Sequence, residues 1–283
     1  MINAVPGLIA SPFAGGFMLA NHLNELLKKS KVFDLGQPYF TGMPHHPNQP
    51  PFAYTLLKKH GDITLEKERI SFCNDLFTMG GHTGTHLDAK AHVARNNRVT
   101  NDIDISELQD YQNGLKIMGI ETTPPIVKRG ILLDIPPILN LEVLPNDFGI
   151  SEKEMEKAAE NEGVKIEEGD VVLIRTGWIK FWDNRQKYLS LEEGVPGVVE
   201  DGARFLAQKR ISFTGSDTTA YDKVPPHHLP CHVILLVENG IQIMEMLNLE
   251  ELSKNRTYTF LFIALPLKIR GGAGSPIRPI AIA

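Results

Sequence analysis

The chain has 283 residues, of which 42% are hydrophobic and 22% charged, with a formal net charge of −5. This length fits one large domain or two small ones and buries a sizeable core without disulfide staples, and the composition excludes a disordered or collagen-like chain. The acidic balance argues against nucleic acid as a main partner, the two cysteines (Cys73 and Cys231) fit a reducing, cytoplasmic setting, and no apolar run is long enough to cross a membrane.

Residues 1–17 are apolar but lack a positively charged leader, so they read as an ordered arm or part of a helix rather than a signal peptide. Residues 21–30 read as a helix closing on Lys28 and Lys29, which gives an N-terminal helical arm over about residues 1–30. Residues 37–52 hold Pro38, Pro44, Pro47, Pro50 and Pro51. Proline interrupts ladders and helices alike, so this stretch is predicted to be irregular, and long irregular segments are often functional. Residues 131–135 read as a buried strand stopped by Pro136 and Pro137. Ser151 and Glu154 form a capping box that opens a helix running to Glu162, with Gly163 as its stop. A strand over 171–175, a helix over 199–208 and a strand over 211–214 follow. A short helix over 231–237 ends at Gly240, and strands over 241–244 and 258–265 complete the pattern. Strands and helices interleave without a linker or a repeat, which predicts a single α/β domain with a mixed sheet.

The chemistry concentrates between Gly81 and His92, where His82, His86, Asp88 and His92 fall within eleven residues. On a regular helix His82 and His86 share a face, but Asp88 lies about 200° from His86. On a regular strand all four point one way, with His82 and His92 some 33 Å apart. Only a bend can gather them. Gly81 and Gly84 permit one, and from Asp88 the sequence suits the first turns of a helix that would put Asp88 and His92 on one face. Imidazole nitrogen with carboxylate oxygen suits zinc or manganese, and three protein ligands leave positions open, the catalytic arrangement. A lone histidine in a loop is ordinarily a surface residue; four chemical groups in one glycine-threonine frame are not.

His232 and Glu245 form a second, weaker pair. A short helix and its following strand can bring them together, although for this pair taken alone a capping histidine and an exposed glutamate are the better explanation. His227 and His228 read as loop residues and Cys231 as a buried structural cysteine. No serine elbow and no P-loop occurs, and Gly271 to Gly274 read as a turn. Trp178, Phe181, Trp182, Tyr39, Phe40 and Phe52 are candidate pocket walls or core. Arg175 either binds a carboxylate or anchors a loop.

The run from His82 to His92 resembles the His-x-Gly-Thr-His-x-Asp-x-Pro-x-His signature of the cyclase family of metal-dependent hydrolases, which includes bacterial kynurenine formamidase and isatin hydrolase. Segments 39–44, 173–178, 215–218 and 275–280 resemble that family's other recurring segments. The resemblance implies a swivelling β/β/α domain assembled as a homodimer or homotetramer. It implies one or two divalent ions, Mn2+ or Zn2+, with His82, His86 and Asp88 as ligands, His232 and Glu245 as further metal candidates, and His92 as the proton shuttle. The implied reaction is hydrolysis of a small amide, either a formyl-aniline or a cyclic amide such as isatin, by metal-activated water. A lactone or cyclic-imide hydrolase, or a catalytically silent metal-binding scaffold, is the alternative. Lys90 stands where the signature has proline. It either alters the bend or faces substrate, and with Trp178 and Phe40 it is a candidate substrate contact.

Overall fold

The structure, a computed structural model, describes residues 12–62, 64–65, 69–190, 192–226 and 228–283. Four apolar segments, Ile126–Asp134, Val171–Arg175, Phe213–Ser216 and Gln242–Glu245, lie side by side as parallel strands at the centre of a nine-stranded sheet. Antiparallel strands flank them on both sides. Thr259–Ala264, Ile280–Ile282 and Val32–Asp34 extend one edge, and His86–Asp88 and Gly274–Pro276 extend the other. The result is a single mixed α/β domain.

Parallel strands need crossover connections, which cover the sheet faces. Here the helices Glu152–Glu162 and Glu200–Gln208 and the π-helical turn Val233–Glu238 make those crossovers. Alternation along each strand divides the core in two. Ile131, Leu133, Val172, Ile174 and Ile243 pack with Met155, Ala158, Leu206 and Ile234 of the helical layer. Leu132, Leu173, Phe262 and Met244 belong to the opposite cluster with Leu35, Ile120, Leu249 and Leu252.

The capping box forms as expected: the Ser151 N–H donates to Glu154 Oε2 at 3.0 Å, and Gly163 takes φ +66 at the helix end. Residues 37–52 contain neither helix nor strand. The first helix spans Pro12–Leu27, earlier than the expected 21–30, and residues 20–29 are exposed; residues 1–11 of the expected arm lie outside the described residues. A larger correction concerns Asp88, which ends a strand instead of opening a helix. Its segment pairs on both sides, the Gln242 side-chain amide donates to the Asp88 carbonyl at 2.7 Å, and a turn closed by the His92 N–H on the Ala89 carbonyl (3.0 Å) follows. Long-range ladder bonds outweigh a short local helix signal.

Glu162 yields a first prediction. Its Oε1 accepts the Asp134 N–H at 2.7 Å, while its buried Oε2 has no partner among the described residues. Burial pushes this carboxyl up to about 8. The folded chain therefore keeps a proton that the unfolded chain releases above the ordinary carboxyl value. Through this group the fold loses stability as pH rises from about 4.5 to about 8. Glu162→Gln is expected to raise the melting temperature at pH 8 and leave it nearly unchanged at pH 5. Thermal melts at both values check this, and an equal shift at the two would contradict it.

Candidate metal centre

Strand geometry assembles the site. Period-two alternation along His86–Asp88 puts His86 and Asp88 on one face. Antiparallel register sets Glu245 directly opposite His86, so the two side chains are cross-strand neighbours. Glu245 ends its parallel strand, and the carboxyl end of such strands is where open α/β sheets place ligand sites. The preceding turn carries His82 back over the strand, where its Nδ1 lies 2.8 Å from Asp88 Oδ1. Gly84 holds φ +69 in that turn, and a Cβ there would sit 2.5 Å from the Tyr39 ring. His232 arrives from the end of the helical turn Pro230–His232.

The polar atoms converge. His86 Nε2 lies 3.6 Å from Asp88 Oδ1 and 3.4 Å from Glu245 Oε2. His232 Nε2 lies 3.5 Å from Asp88 Oδ2 and 3.3 Å from Glu245 Oε1. All five residues are buried. Three imidazoles have Nδ1 committed as a donor: His82 to Asp88, His86 to the Gly84 carbonyl at 2.7 Å, and His232 to Asp222 Oδ2 at 2.5 Å. Nε2 is then the free ring nitrogen in each, the arrangement by which second partners orient metal-binding histidines. Asp222, which also accepts the Cys231 N–H at 2.6 Å, carried no signal in the sequence because it lies outside the histidine motif.

The electrostatics follow from burial and the carboxylates. Burial pushes His86 down. On His82 and His232 burial acts the same way but is outweighed, at His82 by Asp88 and at His232 by Asp222, Asp88 and Glu245, so both are held up. Burial pushes His92 down to about 4.

Two ligand sets result, His82 with His86 and Asp88, and Asp88 with His232 and Glu245; within each, the ligand atoms lie within 4.8 Å of one another. Asp88 belongs to both. His82 Nε2 and Asp88 Oδ2 are buried without a hydrogen-bond partner among the described residues. Buried polar atoms are ordinarily satisfied, and a divalent cation is what nitrogen and carboxylate donors in this arrangement would satisfy. The residues present fit such an ion.

A cavity of about 200 Å³ opens on these groups, its lining completed by His92, His46, Asn48, Gln49, Thr219 and Leu229 among others. The His92 ring lies 4.0 Å from the His82 ring, tilted by 30°. Among the described residues nothing hydrogen-bonds its ring nitrogens. The proline-rich loop supplies His46, Asn48 and Gln49, so its irregularity delivers polar side chains to the cavity mouth.

The sequence model of the Cyclase family, described as "Putative cyclase", matches residues 33–223. This chain belongs to the Cyclase family. It is 27% identical over 255 residues to a kynurenine formamidase of Bacillus thuringiensis subsp. konkukian, covering 90% of this chain and 98% of that one. A Bacillus anthracis kynurenine formamidase is 26% identical over 257 residues, with the same coverage. Among solved structures, a novel cyclase superposes with a TM-score of 0.84 at 27% identity over 93% of this chain and 90% of that one. Isatin hydrolase A from Ralstonia solanacearum shares the fold, with a TM-score of 0.73 at 22% identity over 99% and 100% of the two chains.

In this chain Trp178, Phe40 and Lys90 do not reach the cavity lining. Trp178 is buried in an apolar cluster with Met43, Phe52 and Trp182, and its Nε1 donates to the Tyr188 carbonyl at 2.8 Å. Phe40 and Lys90 are exposed. Trp178, Phe52 and Trp182 went to the core, where burying large rings stabilises most. Arg175 is a loop anchor, paired with Asp134 and Glu250 at 2.7 Å each. Cys231 is buried, its thiol pushed up by burial, with Sγ 3.2 Å from the Val198 carbonyl. His228 is an exposed loop residue; His227 lies outside the described residues.

Proposed function

We propose that this protein hydrolyses the C–N bond of a small amide, either a formyl-aniline or a cyclic amide such as isatin. The observation that carries the reading is the pair of ligand sets joined at Asp88, in a cavity that also holds an unpinned imidazole. His82, His86 and Asp88 would hold one ion, Mn2+ or Zn2+, and Asp88, His232 and Glu245 a second. When bound, such an ion makes water acidic enough to ionise near neutral pH and polarises a carbonyl oxygen. The chain supplies the rest. Gly84 and Asp222 fix the orientation of two imidazoles, and His92 takes a proton from the attacking water and delivers it to the leaving nitrogen. The relatives' names, kynurenine formamidase and isatin hydrolase, support an amide as substrate.

Acid release from N-formylkynurenine, isatin and a cyclic imide, measured on chelator-treated protein with and without added Mn2+ or Zn2+, tests this. Cation-dependent cleavage of an amide is expected. Cleavage of the imide alone would shift the substrate class, and no cleavage of any of the three would favour a silent metal-binding scaffold.

We infer further that a single domain with an N-terminal arm, Pro12–Leu27, assembles with copies of itself as a homodimer or homotetramer. The ribbon formed by Ala53–Lys58 and Asn74–Thr78 supports this: every residue on it is exposed, and a two-stranded ribbon is marginal alone. Tyr54, Leu56 and Phe77 share one face of the ribbon, each about half exposed, and offer a partner part of an apolar contact. One partner of a standard interface contributes about 800 Å². A light-scattering mass of a single chain would contradict the assembly. Among the described residues no helix is long and apolar enough to cross a membrane, and two unpaired cysteines are in keeping with a cytoplasmic setting.

A further inference from the structure

Thr219 is 2% exposed and lines the cavity that holds His82, His86 and Asp88. Its Oγ1 is buried and has no hydrogen-bond partner among the described residues. The hydroxyls around it are all committed. Thr214 donates to the Val172 carbonyl at 2.9 Å, Ser216 and Thr218 share a bond at 2.8 Å, and Thr218 donates to the Ala220 carbonyl at 2.7 Å. A buried hydroxyl left without a partner is unfavourable, so Thr219 stands out from its own segment.

Its position is fixed from both sides. The Met246 N–H donates to the Thr218 carbonyl at 3.1 Å, and the Tyr221 N–H donates to Glu245 Oε1 at 2.9 Å. The loop is thus tied to the strand end that carries Glu245, and a β-branched side chain on it has little rotamer freedom. The neighbouring groups are mostly acceptors: two carboxylates, and three imidazoles whose Nδ1–H is already spent. An amide substrate brings a carbonyl oxygen that needs a donor, and the Thr219 hydroxyl on this cavity wall has one to give.

We propose that the Thr219 hydroxyl donates a hydrogen bond to the carbonyl oxygen of the bound amide. This rests on the reading of the site as an amide hydrolase. The bond strengthens as negative charge develops on that oxygen, so its loss falls on kcat more than on KM.

Thr219→Val keeps the shape and removes the hydroxyl, and Thr219→Ser keeps the hydroxyl. In the metal-reconstituted enzyme the valine variant is expected to lose on the order of 10²-fold in kcat with KM changed by less than about threefold, and the serine variant to retain most activity. Without metal, the valine variant is expected to melt no lower than wild type, since it discards an unsatisfied buried group. Three results would overturn the assignment: wild-type kcat in the valine variant, equal losses in both variants, or a melting temperature lowered in the valine variant alone. A wild-type enzyme that cleaves no amide overturns the functional reading instead, which separates the two failures.

Discussion

Replacing His86 by alanine strips the divalent cation from the protein and lowers amide turnover by about 10³-fold or more. The magnitude follows from what such an ion supplies, several kcal/mol of transition-state stabilisation, each 1.36 kcal/mol being worth tenfold. His86 has no competing role to blur the result. Its Nδ1–H is held by the Gly84 carbonyl at 2.7 Å, and its Nε2 faces the Asp88 and Glu245 carboxylates. Asp88→Ala should do at least as much, because Asp88 belongs to both ligand sets. His228→Ala, a change at an exposed loop histidine, should leave metal content and rate intact. Elemental analysis of the purified variants, with thermal melts to establish that they are folded, reads the outcome. Full metal content in both His86→Ala and Asp88→Ala would remove these residues from the site.

His92→Ala should separate binding from chemistry. His82, His86 and His232 each have one ring nitrogen pinned by an oxygen acceptor, whereas nothing among the described residues pins His92. Its ring lies 4.0 Å from that of His82, on the cavity wall and outside both ligand sets. A histidine so placed is free to move protons. The variant should retain the cation and lose about 10²–10⁴-fold in turnover, the range for removing a general acid or base. Unchanged turnover would end that role, and lost metal would make His92 a ligand.

What was legible in the sequence follows the range of the signal. The capping box at Ser151 and Glu154 and the stop at Gly163 act within one helix, and they stand where their local chemistry puts them. The apolar run over 171–175 is long enough to require burial on both faces, and its strand has those bounds. The ligand motif was visible because glycine and threonine between the histidines force a bend. Its continuation was misread for the converse reason. From Asp88 the local sequence favours a helical turn, but the strands carrying Met244 and Gly274, far along the chain, pair with this segment and hold it extended. Asp222 was invisible because its partner His232 carried only a weak signal of its own, and Thr219 and the polar face of the proline-rich loop because each gains its meaning from a cavity assembled by residues distant in sequence. The aromatic residues misled because a large apolar ring suits a pocket wall and a core equally well, and Trp178 went to the core.

The most direct test of the account is anomalous diffraction from crystals of the protein reconstituted with Mn2+ or Zn2+. The account predicts a peak within coordination distance of His82 Nε2, His86 Nε2 and a carboxylate oxygen of Asp88, with any second peak beside His232 and Glu245. Crystals of active protein with no peak in this cavity, or with one only at a distant surface site, would contradict it.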